Sequence, residues 1–234
     1  MKIAIHQPHF LPWLGYLHRM ASVDAFVLLD HVQFERRNYQ NRTMIRLNGA
    51  PHWLTVPVLQ RSQQERISEK EIENAGGARS QRIADTLRHV YSKARRYREY
   101  GPALQAILEA RHEKLVDLNQ ACLDFLRDAF GIRTPLVRSS ELAVSGAKAD
   151  LVLDICKAMK ADVLLAGMGG SRGYLDVARF ALNGIVIEWH DFQHPVYPQL
   201  GPQPFVKGLS AIDMLFNCGP ALLQLQPASE MKAA

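Results

Sequence analysis

Short apolar runs alternate with segments of helical spacing along this chain, and that alternation limits the architectures open to it. KIAIH is followed by the helical pattern of WLGYLHRMA and then by AFVLLD. Strand, helix and strand in that order open a parallel sheet, because parallel neighbours need a crossover of a dozen residues or more. The rhythm returns after residue 133. TPLVRSS reads as a strand, KADLVLDICKAMK as an amphipathic helix, and ADVLLAGMGGSRG as a strand running into a glycine turn. YLDVARFALNG then reads as a helix closing on Gly184, and IVIEWHDF as a last strand. The expected fold class is α/β, with a doubly wound parallel sheet.

Two segments interrupt the alternation. NRTMIRLNGAPHWLTVPV places two strand-like runs around NGAP, which reads as a hairpin or a bend. From Arg79 to about Phe130 the spacing is helical throughout, so three consecutive helices are expected as an insertion at about 79–130 in a single α/β domain spanning 1–234. The tail QPASEMKAA is expected to fray.

With 47% hydrophobic residues the chain can bury a full-sized core. Its net charge of +5 favours small anions over nucleic acid, which requires a clustered basic face. The basic stretch KARRYREY reads as a solvated helix face, and is where a transfer RNA would dock if the chain met one. Cys122, Cys156 and Cys218 are far apart with no CxxC pair, a pattern of reduced, buried thiols. No signal-peptide core and no run of about 20 apolar residues is present, so a soluble cytoplasmic protein is expected.

Polar motifs fall where strands end, which is where ligands bind in open parallel sheets. HQPHFLPW comes first. Pro8 and Pro12 lack amide hydrogens and fix φ, so this is a stiff turn that presents His6, Gln7 and His9 near a helix start. LLDHVQFERRNYQNR follows the second strand. It offers Asp30 as a candidate catalytic carboxylate and Gln33, Asn41 and Arg42 as substrate ligands, while Arg36 and Arg37 read as solvated. In GMGGSRGY the glycines allow close backbone approach, and Ser171 and Arg172 supply a hydroxyl and a bidentate donor for phosphate or carboxylate. WHDFQHPVYPQLG contributes His190 and His194 as acid/base candidates, since imidazole titrates near neutrality, and Tyr197 as a substrate ligand. No HxH, HExxH or cysteine–histidine set is present, so no metal site is expected. SAIDMLFNCGP reads as a helix capped by Ser210, with Asp213 closing a capping-box-like arrangement.

QPHFLPWLGY, FVLLDHVQFERRNYQNR, WLTVPV, LLAGMGGSRGYLD, HPVYPQLG and LSAIDMLFNCGP, in this order, resemble the WbqC-like proteins, which occur with bacterial surface-polysaccharide biosynthesis genes. The resemblance runs from Lys2 to about Leu223 and implies a cytoplasmic, enzyme-like protein acting on glycan precursors or their substituents. A more distant similarity is to nucleotidylyltransferases of the HUP class, whose HxGH turn after the first strand holds nucleotide phosphates. Here HFLP stands in that place, with Leu11 and Pro12 where that motif has Gly and its second His. These resemblances imply a Rossmann- or HUP-like sheet and a transferase of an acyl, aminoacyl or nucleotidyl group. Its ligand would be a nucleotide or nucleotide-sugar, with magnesium as a companion ion. The alternative is a non-catalytic nucleotide-sugar-binding or regulatory protein of the same pathway.

Overall fold

The computed structural model describes residues 1–220 except 74 and 76, so the tail from residue 226 lies outside the described residues. Five parallel strands form the central sheet in the order β5-β2-β1-β6-β7. These are β1 (Lys2–His6), β2 (Ala25–Leu28), β5 (Leu136–Arg138), β6 (Val163–Gly167) and β7 (Val186–His190). The strand order reverses between β1 and β6. Connections from β1 run outward to β2 and β5 on one side, and those from β6 run to β7 on the other.

Side chains alternate through the sheet and separate two apolar clusters. Ile3, Val27, Leu164 and Ala166 face α5 (Lys148–Ala158) and α6 (Val177–Leu182). Ala4, Phe26, Leu28 and Leu165 face a larger core. That core includes α1 (Leu14–Ala21), α2 (Ala78–Tyr91), α3 (Tyr97–Glu109), α4 (Leu115–Phe130) and α7 (Ala211–Cys218). A sheet covered on both faces suits the near-continuous apolar character of its strands.

The hairpin of β3 (Arg42–Leu47) and β4 (Ala50–Thr55) packs on the larger core. Asn48 and Gly49 at its tip have φ of 52° and 79°, as a tight two-residue hairpin turn requires. α6 is shorter than its sequence pattern predicts, because the glycine segment before it forms a separate 3-10 turn, Gly170–Gly173. The Asp176 carboxylate then caps α6 by accepting from Arg179 N–H.

Cys122, Cys156 and Cys218 are all free thiols, and burial raises the pKa of each. Among the described residues, no helix is long and apolar enough to cross a membrane.

Candidate functional site

The turn after β1 is held from several sides. Its two prolines withdraw two amide donors, and other elements satisfy the carbonyls left over. Both Thr43 Oγ1 and Ser210 Oγ donate to Leu11 O at 2.8 Å, and Ala211 N–H donates to Pro12 O. Phe10 N–H donates to Tyr39 O. Leu11 adopts φ 44°, a left-handed conformation that costs a non-glycine residue about 1–2 kcal/mol. Its fully buried side chain and doubly bonded carbonyl hold it there. Such outliers persist where the surroundings over-determine them, often beside a ligand.

Beside this turn, at the reversal of strand order, a cleft of about 420 Å³ opens over the carboxyl ends of β1, β6 and β7. His6, Ser171 and His190 line it, so three motifs distant in sequence meet there. Trp13 and Phe192 make a wall, packed edge to face at 5.5 Å. Gly169 and Gly170 form part of the lip, where an added Cβ would meet nothing within 4 Å.

The cleft also contains a residue that sequence reasoning missed. Arg19 is only 8% exposed, yet among the described residues its side chain has no hydrogen bond and no ion pair. Its Nε is sealed from solvent without a partner. Helical side chains lean toward the N-terminus, so a residue late in α1 reaches back up to the sheet edge. Gly167 makes room for it: a Cβ there would lie 2.5 Å from Arg19 Nη1. Gly15, one turn earlier on the same helix face, likewise leaves space for the Trp13 ring. A small residue one turn before an arginine on an otherwise apolar helix was the available signal.

Four imidazoles surround this charge. His6 is 4.5 Å from His9 and 4.8 Å from Tyr16 between ring centroids. His6 Nδ1–H donates to Gln7 O, and His18 Nδ1 meets His190 Nε2 at 2.8 Å. Burial first, and then the Arg19 guanidinium, lowers the pKa of His6, that of His9 to about 3, and that of His190 to about 4. Burial also lowers His18. At neutral pH the cleft therefore holds one cation among neutral rings. Asp191 is its sole carboxylate, exposed at the rim.

These shifts set a pH dependence of stability. Below about pH 6.5 the unfolded chain binds protons that native His9 and His190 refuse, so stability is full above 6.5 and falls from there toward pH 3–4. Tenfold in proton affinity is worth about 1.4 kcal/mol, so His9 alone carries on the order of 5 kcal/mol of this dependence. Arg19→Met removes the repulsion, and urea unfolding at pH 7, 5.5 and 4.5 should show a shallower decline for it. Parallel declines in the two proteins would refute this account of the histidines.

The remaining sequence candidates lie around the cleft at different removes. His9 touches it through His6, and its ring stacks on Tyr39 at 5.3 Å. Gln7 Oε1 accepts from Gln40 Nε2. Arg172 sits beyond the lip with its guanidinium 5.3 Å from the Trp189 ring centre. Asp30 is fully buried and accepts from Ser139 Oγ, Ser140 N–H and Ser140 Oγ, joining the ends of β2 and β5. His194 donates from Nδ1 to Pro195 O and accepts Gly208 N–H at Nε2, so both ring nitrogens are engaged.

Tyr197 and Gln199 donate to the Asp213 carboxylate, as does Tyr91. Asp213 therefore turns inward and closes no capping box, although Ser210 does cap α7. Asn41 and Arg42 line a separate hollow, and Gln33 is exposed with its Nε2 donating to Gln63 O. Among the described residues no group of three or more His, Cys, Asp or Glu gathers in a metal-holding cluster.

Fold and cleft together describe an α/β protein whose buried cation stands over the carboxyl edge of its sheet. The sequence model of the WbqC-like protein family matches residues 7–224. A relative, the uncharacterized protein Rv1507c of Mycobacterium tuberculosis, is 31% identical over 223 residues, covering 93% of this chain and 94% of its own. No solved structure matches the chain. The chain belongs to the WbqC-like protein family.

Proposed function

We propose that this protein is a transferase of bacterial surface-glycan precursor biosynthesis, moving an acyl, aminoacyl or nucleotidyl group with a nucleotide or nucleotide-sugar in the cleft. The observation that carries this reading is Arg19, a buried guanidinium with no acceptor, facing an opening. An uncompensated buried charge is costly, and an anionic ligand relieves it. Phosphate is the natural complement, because guanidinium offers it paired donors. The Ser171 hydroxyl lines the same cleft as a further donor, while His6, neutral and with Nδ1–H given to Gln7 O, offers Nε2 as an acceptor for a ligand hydroxyl or amine. The strand order 5-2-1-6-7 with its reversal at the cleft supports a doubly wound reading, since in open parallel sheets ligands bind where the order reverses. Leu11, at φ 44°, stands in the sequence where the HUP-class motif has its glycine, so the left-handed conformation a glycine would favour is present here on a leucine.

In the transfer step, an acceptor oxygen or nitrogen bonds to the carbonyl carbon or phosphorus, the bond to the leaving oxygen breaks, and the acceptor gives up a proton. Arg19 meets the negative charge on the leaving group, and positioning beside that fixed charge supplies most of the acceleration. His190 is the base. It is neutral at pH 7, and with Nε2–H donating to His18 its Nδ1 lone pair is free. Asp30 and His194, whose polar atoms are engaged within the protein, hold the loops in place. Magnesium would ride on the ligand's phosphates, and no step is routed through it.

A turnover assay with nucleotide-sugars and with acyl and aminoacyl donors tests this. His190→Asn should lower product formation roughly 10²–10⁴-fold, the usual contribution of a general base, while ligand-induced thermal stabilisation persists. Stabilisation by ligand with no turnover in the parent protein would establish the binding or regulatory alternative instead. Unchanged turnover in His190→Asn would remove His190 from the chemistry.

A further inference from the structure

A second hollow, of about 250 Å³, lies over the loop that follows β2, on the other side of the β1 turn from the cleft. Arg36, Arg37 and Arg42 line it, and no carboxylate does. Phe34 and Val58 give it an apolar floor. Among the described residues, the side chains of Arg36 and Arg37 make no hydrogen bond or ion pair. Glu35 is occupied by Asn38, whose Nδ2 donates to it. Arg42 lies over the Trp53 ring at 3.9 Å, donates to Arg37 O, and has its Nε sealed without an acceptor. Arg37 is held at φ 62°, left-handed for a long side chain, as happens where a loop is shaped for something other than its own stability.

Asn41 adds a different chemistry. It is 8% exposed, and Nδ2 must be the atom facing Val56 O, because a carbonyl only accepts. That leaves Oδ1 as an acceptor without a partner among the described residues, on a side chain that lines the hollow. A free acceptor beside three arginines does not suit a bare anion. It suits an anion that also carries a hydroxyl.

The hollow is also tied to the cleft. Gln40, fully buried, donates from Nε2 to Gln7 Oε1 in the cleft turn and accepts Glu35 N–H at Oε1 in the arginine loop. A row of rings, His9, Tyr39 and Trp53, runs the same way, with centroids 5.3 and 5.2 Å apart. The geometry points to the hollow as the acceptor subsite of the transferase, taking a small hydroxylated anion such as a sugar acid or sugar phosphate. Its anionic group lies on Arg36, Arg37 and Arg42, and one hydroxyl donates to Asn41 Oδ1. This assignment of the acceptor rests on the reading of the cleft as the donor site.

Ligand-observed NMR titrations in the Arg19→Met background test it with the cleft silenced. Glucuronate and glucose 1-phosphate are the two anionic probes, and glucose is the neutral control. One of the anions should bind saturably, and which one does names the anionic group. Arg36→Ala with Arg37→Gly should weaken that binding roughly tenfold. Glycine tolerates the left-handed backbone at position 37. Absence of saturable binding by both anions, binding indifferent to the two replacements, or equal binding of glucose would each overturn the subsite. The cleft is judged apart from it, by whether Arg19→Met abolishes nucleotide-induced stabilisation, so either reading can fail alone.

Discussion

Arg19→Met should give a protein that unfolds at a higher temperature than its parent and gains nothing from a nucleotide ligand. The two effects have one origin. In the free protein Arg19 is a buried cation with no acceptor among the described residues, and its charge adds to burial in depressing three imidazoles around it. Replacing even a buried ion pair with apolar side chains of similar volume is often neutral or stabilising by about 1–4 kcal/mol, and a buried charge with no partner has no Coulombic gain to lose. In a domain of this size each kcal/mol moves the midpoint by about 2–4 °C. Ligand at a hundred times its Kd adds about 2.7 kcal/mol to the parent protein. The variant lacks the guanidinium that collects this energy. Thermal unfolding of both proteins, with and without a nucleotide panel, reads both changes together. A variant less stable than its parent that still responds to ligand would mean that Arg19 is a packing residue.

The second large effect lies outside the cleft. Asp213→Ala should cost roughly 4 kcal/mol, measured by urea unfolding at pH 7, because it leaves the Tyr91 and Tyr197 hydroxyls as buried donors with no acceptor, while half-buried Gln199 keeps Val206 O. Asp213→Asn should cost less, since one amide oxygen still accepts. This carboxylate ties the helical segment through Tyr91, and the loop that begins at Asp191 through Tyr197 and Gln199, to α7. The same loop carries Phe192, which walls the cleft, so the variant should also loosen ligand binding. A loss below about 1 kcal/mol would show that water replaces the carboxylate without difficulty.

The strands were legible because each is a short apolar run bounded by a polar or glycine-rich turn, and Asn48-Gly49 announced the hairpin. The meeting of His6, Ser171 and His190 followed from the rule that parallel strands end on one edge. Arg19 was not legible. On a linear sequence it reads as a basic residue in the last turn of a helix, a common surface feature. Only the pairing of β1 with β6 brings Gly167 against it and buries most of its side chain at the foot of the cleft. Asp213 misled for the opposite reason: its spacing from Ser210 fits a local cap, and the partners that claim it, Tyr91 and Tyr197, are distant or on another loop. Spacing along the chain carries local bonds and is blind to those the fold supplies.

The protein has three tryptophans, and none is a bystander. Trp13 lines the cleft, Trp189 lies under Arg172 beyond its lip, and Trp53 lies under Arg42 beside the second hollow. Indole emission responds to nearby charge and to the loss of water, so the unlabelled protein carries an optical reporter at each region. Replacing them one at a time with phenylalanine assigns each part of the spectrum. A ligand entering the cleft and one entering the second hollow would then give separate signals, and stopped-flow fluorescence would read the order of the two events.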